Sequence, residues 1–208
     1  MASTEIRTSY IKAVFSGQGN QTIVNELFYK EPSQIYVNGV LREDCKYFCQ
    51  LSDDKSNITI IFDEEITSCE NMFYGLENLI EIDLSNFDSS KVTTMNSMLK
   101  ECKNLININF GEINASSVED MSFLFQKCIA LTSIDLSNFD TSSVTKMNYM
   151  FSHCDIIKSI DASSFNTTKV EEMQDLFSED RQMITVDVSS FDTSNTKNMR
   201  GIFIVVKV

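Results

Sequence analysis

The chain has 208 residues, 42 % of them hydrophobic, which is enough for a substantial core and argues against global disorder. Its 17 Lys and Arg against 30 Asp and Glu give a net charge of −13, which repels nucleic-acid phosphates and anionic membrane surfaces. Basic proteins, cations and neutral glycans are left as partners.

No apolar run reaches the roughly 18 residues that a membrane helix needs, so no membrane insertion is expected. The opening MASTEIRTSY has neither a basic n-region nor an apolar h-region. Taken literally, the chain reads as soluble and cytosolic, although a processed chain would look the same.

Residues 1–65 read as a β-rich N-terminal cap. Tyr10 to Phe15 and Thr22 to Phe28 are strand candidates, with Gly17, Gly19 and Asn20 as the turn between them. Asn38-Gly39 separates Gln34-Ile35-Tyr36-Val37 from Val40-Leu41, and both turn residues tolerate the positive φ of a tight hairpin. Ile58 to Phe62 is a strongly apolar strand candidate.

A 26-residue period then sets in, marked by Val92, Val118, Val144 and Val170. Five full copies run 66–91, 92–117, 118–143, 144–169 and 170–195, followed by a partial copy 196–203 and an apolar tail 204–208. That tail either seals the array as a last strand or marks a truncated chain.

Within one copy, Val118, Met121, Leu124, Phe125 and Cys128 are spaced like one face of a short helix. Ser116 with Glu119, and Thr168 with Glu171, have capping-box spacing at its start. Leu131, Ile134 and Leu136 follow in a strand-like pattern, and Ser137-Asn138-Phe139-Asp140 reads as a turn. The expected fold is therefore an α/β solenoid, a stack of short helix–strand units with a parallel sheet on one side, behind the N-terminal cap. Its core columns would be Met95, Met121, Met147, Met173 and Met199; Ile82, Ile108, Ile134, Ile160 and Val186; and Phe87, Phe139, Phe165 and Phe191, interrupted by Ile113.

Leu131-Thr132-Ser133-Ile134-Asp135-Leu136 resembles the LxxLxL strand of leucine-rich repeats. The whole unit, clearest in SNFDTSSVTKMNYMF at 137–151, resembles the BspA-like leucine-rich repeat surface proteins, which share the repeat type of the Mycoplasma-lipoprotein-like family. The resemblance implies a cell-surface or secreted interaction protein, often adhesive. The leaderless start keeps a cytoplasmic location as the alternative.

Catalysis has little support. The sole histidine, His153, shares its column with Gly75, Glu101, Lys127 and Glu179, a variety that reads as an exposed, unconstrained position. There is no persuasive triad and no glycine-rich phosphate loop, so no enzyme and no cofactor are expected. Cys102, Cys128 and Cys154 stack in one column with Leu76 before and Asp180 after, which favours free core thiols. No histidine partner or C-x-x-C supports zinc, and a Cys45–Cys49 bridge would require an oxidising compartment.

The binding candidates are the outward strand positions. Asp83, Asn109, Asp135, Asp161 and Asp187 form one column, and Glu81, Asn107, Ser133, Ser159 and Thr185 form its neighbour. Stacked strands would lie about 4.8 Å apart, so these carboxylates would form a ladder that water and salt, a basic partner or a divalent cation could neutralise. A second series, Asp88, Asn114, Asp140, Asn166 and Asp192, reads as turn-closing. The functional expectation is a non-catalytic module binding a protein or glycan through this polar, acidic face. An intracellular scaffold using the same face is the alternative. The sequence leaves oligomeric state open.

Overall fold

A computed structural model describes residues 9–203. Its N-terminal strands are β1 (Ser9–Ser16), β2 (Gly19–Thr22), β3 (Gln34–Val37), β4 (Val40–Leu41), β5 (Phe48–Leu51) and β6 (Lys55–Phe62). Four short strands follow within the copies: β7 (Leu79–Asp83), β8 (Asn107–Asn109), β9 (Ser159–Asp161) and β10 (Thr185–Asp187). Residues 1–8 and the apolar tail 204–208 lie outside the described residues.

The Asn38-Gly39 hairpin is present. Both residues have positive φ, 50° and 82°, and Val37 pairs with Val40. The strand expected over Thr22 to Phe28 is not: β2 instead covers Gly19–Thr22, part of the expected turn, and pairs with β5. β1 and β6 pair antiparallel along their whole lengths, from Ser9↔Phe62 to Ser16↔Lys55. Their strict alternation puts Ile11, Ala13 and Phe15 on the buried face with Ile58, Ile60 and Phe62.

On its other side β1 pairs antiparallel with β7, in the first copy, and β7 pairs parallel with β8, in the second. The result is one mixed six-stranded sheet in the order β4-β3-β6-β1-β7-β8, while β9 and β10 form a separate parallel pair.

The expected α/β solenoid of helix–strand units is thereby overturned. No α-helix occurs among the described residues, and the strands fall into one mixed sheet and two small separate ones rather than a single parallel sheet. The leucine-rich-repeat assignment falls with it, since the Leu131–Leu136 segment that resembled its strand is not a strand here.

The segments read as helices are consecutive four-residue turns. Met98 N–H donates to Met95 O and Cys102 N–H to Leu99 O, with positive φ at the third residue of each turn, Ser97 (56°) and Glu101 (62°). Intervening N–H groups donate across copies instead of along a helix. Met95, Ser97, Leu99 and Glu101 bond Asp120, Ser122, Leu124 and Gln126 carbonyls at 2.7–3.1 Å. The same four-bond pattern recurs from Met121 to Lys127 and from Met147 to His153.

Four-residue turns place apolar side chains at the same spacing as helical turns, so Val118, Met121, Leu124, Phe125 and Cys128 are buried as expected in a different backbone. The capping boxes are likewise absent. Ser116 and Thr168 instead bond the side chains of Asn114 and Asn166.

The core columns are mostly buried, but Ile134, Val186 and Phe191 are only partly so, and Met199 is 48 % exposed. The second copy exchanges two positions: Phe110 occupies the Leu84/Leu136 column and Ile113 the phenylalanine column, with Phe110 packed edge-on to Phe139 at 4.6 Å. Gly111 has φ 53°, and a Cβ there would lie 2.5 Å from Ser85 Cβ, so only glycine fits this approach.

Asn25 closes the first copy. Its N–H bonds Met72 O (2.8 Å) and its side-chain amide bonds Tyr74 O (2.7 Å), occupying carbonyls equivalent to those that accept cross-copy bonds further along.

Candidate ligand-binding face

Alternation along the strands decides which side chains leave the core. Ile82, Ile108 and Ile160 point inward and are buried, so their neighbours point outward. Asn107, Asn109, Ser133, Asp135, Ser159, Asp161, Thr185 and Asp187 are exposed, and Glu81 and Asp83 are half-buried.

The ten candidates do not form one uninterrupted ladder. Glu81, Asp83, Asn107 and Asn109 lie on β7 and β8 within the six-stranded sheet, whereas Ser159, Asp161, Thr185 and Asp187 lie on the β9–β10 pair. Ser133 and Asp135 sit between them on a segment that is not a strand, flanked by crevices lined in part by Phe110, Glu112 and Asn138 on one side and Ser163 and Ser164 on the other.

The carboxylates are also engaged locally. Asp83, Asp135, Asp161 and Asp187 each accept the N–H of the serine two residues on, at 2.9–3.0 Å, and Asn109 does the same for Gly111. The serine hydroxyls of Ser137 and Ser163 add bonds of 2.7 and 2.6 Å. These serine bonds hold Asp135, Asp161 and Asp187 below the ordinary carboxylate range, while Asp161 pushes Asp187 weakly the other way.

The column thus closes turns, the role expected only of the second series, where Asp88, Asp140 and Asp192 also bond the N–H two residues on. The recurring Asp-x-Ser spacing, as in Asp135-Leu136-Ser137, was the readable signal for it.

Sequence reasoning missed the residues that the N-terminal strands add to this face. Register places Thr59, Lys12, Asp83 and Asn109 in one cross-strand row, and Asn57, Val14, Glu81 and Asn107 in the next. Lys55 pairs with Glu81 at 3.1 Å, and Asn109 Nδ2 donates to Asp83 Oδ1 at 3.0 Å. A groove of about 500 Å3 lies over these rows. Among the described residues, no three His, Cys, Asp or Glu side chains stand together as metal ligands.

The remaining titratable candidates are elsewhere. His153 is half-buried with φ 61°, and Glu101, Lys127 and Glu179 share its positive φ; the column is conformationally constrained, contrary to the sequence reading. Gly75 in that column (φ 71°) was the clue.

Cys69, Cys102, Cys128 and Cys154 are free and fully buried, and burial pushes their thiols up, Cys102 to about 12. The Cys102, Cys128 and Cys154 thiols donate to the carbonyls of Phe73, Leu99 and Phe125. Cys45 and Cys49 are bridged.

Asp180, the polar member of the cysteine column, is wholly buried. One oxygen accepts Cys154 N–H at 2.7 Å and the other has no partner. Burial pushes its carboxyl up to about 7, against the Cys154 bond and with help from Asp155 and Glu179.

No curated protein and no solved structure matches the chain. A family model described as "Mycoplasma protein of unknown function, DUF285" matches it twice, over residues 45–158 and 104–207. These matches span well over half of the sequence, and the chain belongs to that family.

Proposed function

We propose that the chain is a non-catalytic binding module of a BspA-like surface or secreted protein, engaging a protein or glycan through the outward face of its strands. The observation that carries this reading is the set of outward polar rows that strand register assembles on the six-stranded sheet. Rows of polar side chains run from β6 across β1 to β7 and β8 with buried residues between them, and similar polar positions recur at Ser159, Asp161, Thr185 and Asp187. A surface rich in amides, hydroxyls and carboxylates is suited to recognition by hydrogen bonds. The Cys45–Cys49 bridge suits an oxidising compartment.

The test is charge reversal of Asp135 and Asp161 to Lys, followed by measurement of the protein's retention on source cells or on the cells they contact. Weakened retention with unchanged unfolding supports the face; unchanged retention removes it. A second reading, an intracellular scaffold using the same face, draws on the four free buried thiols. Protease shaving of intact source cells separates the two, with a cytosolic marker as the lysis control. Released peptides from 92–169 favour the surface protein, and full protection favours the scaffold.

A further inference from the structure

We infer that the groove over β1, β7 and β8 is a subsite for a neutral oligosaccharide, an inference that rests on reading the outer face as a binding surface. Its chemistry differs from that of the far end. Lys55 pairs with Glu81, and Lys12 stands opposite Asp83 in register, so two cations face two carboxylates. Asp135, Asp161 and Asp187 have no basic partner among the described ion pairs. A charged ligand therefore gains little in the groove, and an acidic one is also repelled by the chain's net charge of −13.

What the groove offers is hydrogen bonding without net charge. Asn57 and Asn107 each present a donor and an acceptor, as vicinal sugar hydroxyls require. Thr59 adds a hydroxyl, and Val14 adds an apolar surface for the C–H face of a sugar ring.

The ligand is a chain of sugar units rather than a single one. A second crevice of about 660 Å3, lined in part by Tyr10, Asn86, Asp88 and Glu112, begins at the next outward position of β1. Lys12 of the first crevice lies 5.4 Å from the Tyr10 ring, so the two adjoin.

The experiment uses the full chain made in bacteria, which leaves the Asn57-Ile58-Thr59 sequon bare. It is applied to an array of immobilised neutral hexasaccharides of glucose, mannose and N-acetylglucosamine, with sialylated and sulfated glycans alongside. The expected result is binding to a neutral glycan, weakened roughly tenfold by Asn107→Ala and by Asn57→Ala, the effect of losing about one hydrogen bond. Lys169→Ala, at an exposed position outside both crevices, leaves binding unchanged, and unfolding temperatures confirm that the variants fold.

Binding confined to acidic glycans, binding to none, or insensitivity to both asparagine variants overturns the inference. If glycan binding fails while Asp135 and Asp161 charge reversal still weakens cell retention, only the subsite is lost and the binding face stands.

Discussion

The first two copies and the last two carry the same repeat but are finished differently. At the first end, β7 and β8 extend a sheet begun by β3, β6 and β1, Leu76 fills the cysteine column, and Asn25 satisfies the carbonyls of Met72 and Tyr74. At the other end, β9 and β10 pair only with each other, Met199 and Phe203 are about half exposed, and Asp180 replaces a core thiol. Equivalent sequence thus gives different local order according to what lies alongside. The repeat specifies which residues face inward, and the neighbours decide how firmly each strand is held.

The sharpest way to probe this contrast is Asp180. Its folded carboxyl, at about 7, lies above the ordinary 3.8, so the folded state retains a proton that the unfolded state has lost. Its contribution is therefore most favourable below about pH 4 and is lost as pH rises through about 7. Asp180→Asn should stabilise by about 4 kcal/mol at pH 8 and by little at pH 4, removing that slope from denaturant titrations. An equal effect at both pH values would show that Asp180 does not titrate in this window.

Gly111→Ala attacks the first end. It combines a left-handed backbone with a Cβ driven into Ser85 and should cost about 3 kcal/mol in urea unfolding. Loss of amide-exchange protection should centre on β7 and β8, sparing β9 and β10. Asn25→Ala leaves Tyr74 O without its partner and should cost about 2 kcal/mol by the same unfolding measurement, again with exchange concentrated in the first copy.

Phe110→Leu should cost about 1 kcal/mol, and adding Ile113→Phe, which restores the commoner order, should recover part of it in a double-mutant cycle. Simple additivity would mean that the two positions are not exchanged as a pair.

The smallest effect is expected from acid. Asp135, Asp161 and Asp187 titrate below the ordinary range, so their contribution is present above about pH 4 and is lost as pH falls below it. Replacing their partners Ser137, Ser163 and Ser189 by Ala should raise the carboxyl titrations followed by NMR.

The inward-facing residues were legible because each recurs at 26 residues, and repetition separates a core column from chance. The backbone was not. Turn pairs such as Met95–Met98 and Leu99–Cys102 repeat apolar positions as a helix does, and only Gly75, Gly201 and Asn71 in the positive-φ columns hinted at the difference. The candidate face was half legible. Strand alternation marks Asp83 and Asn109 as outward, but nothing local announces that Lys12 and Thr59 lie beside them. That register joins segments far apart in sequence and is fixed by the packing of Ala13 against Ile82 and Ile58.

The cross-copy bonds have a consequence for how such a gene can change length. Met95 to Asp120 and Met121 to Lys146 are both steps of 25 residues, so the donors and acceptors of one copy are interchangeable with those of the next. Duplication or excision of a whole copy preserves this bonding at every junction, whereas loss of a single codon shifts one copy against both neighbours. Growth and shrinkage by 26-residue blocks is the variation that this backbone tolerates most readily.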